Sequence, residues 1–84
     1  MLYLCIRQAG PKYVAYPSSE DAYQKSLASG EAGVWYYKST KEVSEFAQAN
    51  TFGAYDSQAA AESAIVLVDP GIDKIYKPPT QPSA

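Results

Sequence analysis

Apolar and polar positions alternate from the start of the chain: Leu2, Leu4 and Ile6 interleave with Tyr3, Cys5 and Arg7. A period of two is that of a strand with one face turned toward a core. Turn residues then interrupt at Gln8-Ala9-Gly10-Pro11, and Tyr13-Val14-Ala15-Tyr16 resumes a strand pattern that Pro17 closes. The two segments predict an antiparallel hairpin with a loop of about five residues.

Ser18 and Ser19 precede Glu20-Asp21, a combination suited to a helix N-terminus, where hydroxyls accept from free N–H groups and acids favour the dipole. The pattern predicts a helix over 19–29 that turns Ala22, Tyr23 and Leu27 inward, with Gly30 at its left-handed C′ position. Val34-Trp35-Tyr36-Tyr37 has the highest strand propensity in the chain. Ser39-Thr40-Lys41-Glu42 matches the S-x-x-E capping box, and Val43, Phe46 and Ala47 follow at helical spacing, so a second helix is expected near 40–49, stopped by Asn50. Thr51 to Tyr55 reads as a short strand or loop. Asp56 or Ser57 can cap a third helix over 58–64, rich in alanine. The continuous apolar run Ile65-Val66-Leu67-Val68 reads as a buried strand that ends at Asp69-Pro70-Gly71, and Ile72 to Tyr76 as an edge strand.

This order, β-β-α-β-α-(β)-α-β, predicts the α+β class: an antiparallel or mixed sheet of about four strands with two or three helices on one face. Residues 1–77 form a single domain on this reading. The segment 78–84, with Pro78, Pro79 and Pro82, is expected to be a disordered tail; its one P-x-x-P match, Pro79 to Pro82, is a weak signal. An aromatic followed two residues later by serine recurs at Tyr16, Tyr37 and Tyr55, but at unequal intervals that helix capping explains without a repeat architecture.

Length and charge narrow the function. Eighty-four residues suffice for one domain. The net charge is −2 and the seven basic residues are dispersed, whereas duplex nucleic-acid binding rests on clustered positive charge. The longest strongly apolar run is far short of the ~20 residues that span a bilayer. One cysteine and no histidine leave no intramolecular disulfide, no Cys/His zinc ligand set and no Ser–His or Cys–His pair within the chain. A lone thiol fits a reducing compartment, so a cytoplasmic location is expected.

The remaining chemical candidates have ordinary structural readings. Glu20, Asp21 and Glu42 sit in first turns of helices, where negative charge is stabilising; Glu45 shares a helix face with Glu42, and Asp69 lies near Asp73. Cys5 is out of phase with Leu2, Leu4 and Ile6 and reads as a small buried residue of a second face. Gly30 and Gly33 lack the Lys-Ser/Thr sequel of a phosphate loop. No catalytic, metal or cofactor site is expected.

Eight tyrosines, one tryptophan and two phenylalanines in so short a chain are the strongest functional signal. Tyr3, Tyr13, Tyr16, Trp35, Tyr36 and Tyr37 all fall in expected strands, with Trp35 and Tyr37 on one face and Tyr36 on the other. A small interior leaves rings over, and exposed rings favour interfaces. The expectation is a tyrosine-lined sheet face, free of helices, that binds another protein. The chain therefore reads as a non-catalytic protein-binding module: a small acidic adaptor, inhibitor or accessory protein, of phage or mobile-element type among the options. Its acidic charge suits a basic, nucleic-acid-handling partner, and a homodimer would hide an apolar face. Two alternatives stand beside it: a small-ligand or nucleotide binder stacking on Trp35 and tyrosines, and a structural subunit of a larger assembly.

Overall fold

The computed structural model describes residues 1–79; the expected tail lies outside the described residues from residue 80 onward. The elements in chain order are β1 (Leu2–Ala9), β2 (Lys12–Ser18), α1 (Glu20–Ser29), β3 (Val34–Ser39), α2 (Val43–Gln48), β4 (Gly53–Tyr55), α3 (Gln58–Val68) and β5 (Asp73–Tyr76). The strands form one antiparallel sheet in the order β4-β2-β1-β3-β5. This is the α+β class expected from the sequence, with five strands and three helices among the described residues.

The first hairpin is tighter than its composition suggests. Ala9 pairs with Lys12, so Gly10 and Pro11 alone make the loop. Gly10 has φ +63°, which fits the glycine-first position of a two-residue hairpin turn. Pro17 stays inside β2, opposite Leu4. β4 pairs with β2 only over Tyr13 to Ala15, so the missing proline N–H falls where no neighbour needs it.

Register assigns every strand side chain to a face. Leu4 and Ile6 align with Tyr37 and Trp35 of β3, and Ile6 with Ala15 of β2. This face carries α2 and α3, whose Phe46, Ala61 and Ile65 complete a core with Leu4, Ile6, Ala15 and Tyr37. Cys5 aligns with Tyr16 and Tyr36 on the opposite face. That face is not free of helices: α1 packs Ala22 and Tyr23 against a second core of Cys5, Val34, Tyr36 and Tyr76. Two helices thus share one face and the third closes the other.

Three local expectations are corrected. α1 is rotated relative to its apolar pattern: Leu27 is 49% exposed, while Ser26 is buried. The Ser26 hydroxyl lies 2.9 Å from Tyr36 Oη and donates to Glu31 Oε1 at 2.7 Å, so a polar anchor fixes the inward face. The capping box at the start of α2 is formed by Glu42 and Glu45, not by Ser39 and Glu42. Ser39 remains in β3 and donates to Asp69 Oδ2 at 2.6 Å, a buried bond. Finally, Ile65 to Val68 is not a strand but the last turn of α3. Ser57 caps this helix by accepting from the Ala60 N–H, and no breaker follows until Asp69-Pro70. At Gly30 the backbone is left-handed, φ +64°, and its N–H bonds the Ser26 carbonyl, as expected of C′.

Candidate interaction surface

The six aromatic candidates divide between interior and half-buried positions. Tyr36 and Tyr37 are each 1% exposed, which removes both rings from any partner surface. Tyr3, Tyr13, Tyr16 and Trp35 are half-buried, and they do not form one patch. Tyr13 and Trp35 lie on the α3 face, tilted by 59° with centroids 5.9 Å apart. Tyr3 lies on the α1 face, stacked on Tyr23 at 6.1 Å, with Lys38 Nζ 5.9 Å from its centroid. Tyr23 in turn meets Tyr36 edge-on, and Tyr36 meets Tyr76. Geometries of this kind stabilise the fold by about 0.5–1.5 kcal/mol per pair beyond burial. The rings expected to line one uncovered face are therefore divided between the α1 face and the α3 face.

The phenol groups are bound into two polar networks, one on each face. Under α1, Arg7 Nε donates to Tyr16 Oη at 2.9 Å, and Arg7 pairs with Glu31. Glu31 also accepts from Ser26, and its carbonyl accepts from Tyr76 Oη at 2.6 Å. The hydroxyl of Ser26 and the Arg7 guanidinium hold the Glu31 carboxyl below its ordinary range. Burial pushes the Cys5 thiol up, which keeps it protonated and unreactive.

On the other face, Tyr37 Oη donates to Glu62 Oε1 at 2.5 Å and accepts from Gln58 Nε2 at 2.7 Å. Gln58 also bonds Glu62 at 2.9 Å, and Lys74 Nζ lies 2.8 Å from the same carboxylate. Burial raises the Glu62 carboxyl, but the bonds from Lys74, Tyr37 and Gln58 outweigh it and the net shift is downward. Burial first, and then the hydrogen bond to Glu62 and its charge, push the Tyr37 phenol well above its ordinary value. Among the described residues, every buried side-chain nitrogen and oxygen has a hydrogen-bond partner. These groups tie α1, α3 and β5 to the sheet.

Two shallow clefts open on the surface. One, of about 430 Å³, is lined by Arg7, Gln8, Gly10, Ala32 and Gly33; its one cation is already paired with Glu31. The other, of about 330 Å³, runs along Lys74, Ile75, Tyr76 and Lys77. Trp35 lines neither. The outer edge of β5 is blunted against strand addition. It is four residues long, carries Lys74 with Lys77 just beyond it, and is kinked where Lys74 and Tyr76 pair with the consecutive residues Tyr37 and Tyr36.

Of the exposed large apolar side chains, Met1 precedes β1 and the others, Leu27, Val43, Val66 and Leu67, lie on the helices. Ala61 and Ile65 of α3 point into the core, and Ala59, Ala60, Ser63, Val66 and Leu67 are exposed. Leu67 is 84% exposed and Val66 37%. The sole charged side chain of α3, Glu62, is held by Tyr37 and Lys74, so the outward arc is uncharged. Val43 of α2 is also exposed, at 42%. Sequence reading missed this surface because it placed Val66 and Leu67 in a buried strand. The available signal was the i, i+4 pair Ala61 and Ile65 carried through an unbroken helical run, which leaves Val66 and Leu67 pointing away. No helix among the described residues is long and apolar enough to cross a membrane. Comparison with protein-family models, with curated proteins and with solved structures returns no match for this chain.

Proposed function

We propose that this chain is a non-catalytic protein-binding module that works through the outward face of α3 rather than through its tyrosines. The observation that carries the reading is Leu67, 84% exposed beside Val66 on a helix face with no charge. Burying Leu67 against a partner is favourable by roughly 1.5–3 kcal/mol, and Val66, already largely covered, adds less. A face without acids does not attract a basic partner by charge, so the proposal is an apolar docking surface. Its role is that of an adaptor or accessory factor. A cytoplasmic setting is part of the proposal, supported by a single cysteine that is buried and unpaired.

Leu67→Glu and Leu27→Glu separate the two sides of the molecule, since Leu27 is the exposed leucine of α1 on the opposite face. Tagged wild type and both variants are compared as baits. The expected result is association, with another protein or with untagged chain supplied at high concentration, that survives L27E and is lost with L67E. A complex indifferent to L67E, or abolished by L27E alone, contradicts the proposal.

A further inference from the structure

Exposure along α3 is symmetric about its middle residue. Ala59, Ala60, Ser63, Val66 and Leu67 are exposed, Ala61 and Ile65 are buried, and Gln58, Glu62, Ala64 and Val68 are intermediate. Each class maps onto itself when the helix is reversed around Ser63. Side-chain size has the opposite behaviour: the exposed residues before Ser63 are alanines, and those after it are valine and leucine. At roughly 100° per residue, all five exposed positions fall within about 60° of the Ser63 direction.

We propose that the partner of this face is a second copy of the chain, docked α3 against α3, antiparallel, with Ser63 on the two-fold axis. The inference rests on the reading of α3 as the binding surface and names its occupant. In this arrangement Leu67 of one copy meets Ala59 of the other, and Val66 meets Ala60. Large side chains enter the hollows left by small ones, twice, as a self-complementary two-fold contact requires. Electrostatics favour the same occupant. Both arcs are uncharged, so no unpaired ion is buried, whereas a charged partner would lose hydration against this face without a counter-charge. Area sets the strength. An eleven-residue helix is about 16 Å long. One side of it offers well under the ~800 Å² per partner of a standard-size interface. The dimer is therefore weak and transient.

The test uses the purified full chain. Sedimentation equilibrium of wild type is expected to show a monomer–dimer equilibrium that L67E weakens about tenfold or more and that L27E leaves unchanged. Ser63→Cys tests the register. On the axis it faces its own copy and oxidises to a linked dimer. Ala59→Cys lies about 12 Å along the axis from its counterpart, beyond disulfide reach, and stays unlinked unless mixed with Leu67→Cys. A wild type that remains monomeric at millimolar concentration overturns the inference. So does a dimer that L67E does not weaken, or equal self-linking by A59C and S63C. If the pure protein is monomeric while L67E still abolishes a complex with another protein, the self-pairing fails and the binding role of the face survives.

Discussion

Replacing Tyr37 with phenylalanine removes one oxygen from the centre of the polar network that joins α3 to the sheet. The hydroxyl donates to the Glu62 carboxylate and accepts from Gln58. A hydrogen bond to a charged group contributes about 1.5–3 kcal/mol and a neutral one about 1 kcal/mol. The loss is less than that sum. Glu62 keeps Lys74 and Gln58 as partners, and its side chain is 29% exposed, so water can replace part of the bond. Phenylalanine fills the same space and leaves no polar atom of its own unpaired. The expected cost is about 2 kcal/mol. For a domain of this size that is a large share of a total on the order of 5 kcal/mol. Urea unfolding followed by tryptophan fluorescence measures it directly. With a slope near 1 kcal/mol/M, the midpoint falls by about 2 M while the slope is unchanged. The Glu62 carboxyl also rises toward its ordinary value, because one bond that favours its charged form is gone. A midpoint shift below about 0.5 M, or an unmoved Glu62 titration, would refute the network as described.

Other consequences follow from the same contacts. The Tyr37 phenol is raised in the folded state, so the stability it confers is present below its unfolded value near 10. It is lost progressively as pH rises beyond that; denaturation against pH should show stability falling above about pH 10, with a shallower fall in Y37F. Glu62 has the opposite sign: its folded value is depressed, so its contribution is present above an unfolded value near 4.3 and lost as pH falls through the folded one. Lys74→Ala should flatten the acid limb of the stability curve. Ser57→Ala removes the cap that accepts from Ala60 N–H and should cost about 1 kcal/mol in chemical denaturation. Leu67→Glu changes an exposed position in the last turn of α3, where an acid opposes the helix dipole, and should cost less than about 1 kcal/mol, so loss of association in a folded variant is not a folding defect.

Much of the architecture was legible in local pattern. Alternation in residues 2–7 and the division of Trp35 and Tyr37 from Tyr36 follow from a two-residue period, and the ladder preserves both. Ser19, Ser57 and Gly30 cap helices because capping is a short-range matter of one side chain and a few N–H groups. What could not be read depends on contacts distant in sequence. The face that α1 turns inward is fixed by Ser26 meeting Tyr36 and Glu31, a polar contact that a hydrophobic pattern points away from. An apolar run such as Ile65 to Val68 suits a buried strand or a helix turn equally by composition. Here the uninterrupted helix from Ser57 decides, and that decision exposes Val66 and Leu67. The abundance of tyrosine suggested surplus rings because the count assumed a single core; two cores, one under α1 and one under α2 and α3, house more of them.

The tyrosine rings serve the fold, and the outward arc of α3, with Leu67 at its end, is an apolar surface open to a partner. Carbene footprinting at low micromolar concentration, read by tandem mass spectrometry, labels exposed apolar side chains and tests this division without a known partner. Strong labelling is expected at Val66 and Leu67, and little at Tyr36 and Tyr37. Heavy labelling across Trp35 to Tyr37, with Leu67 protected at the same dilution, would contradict it.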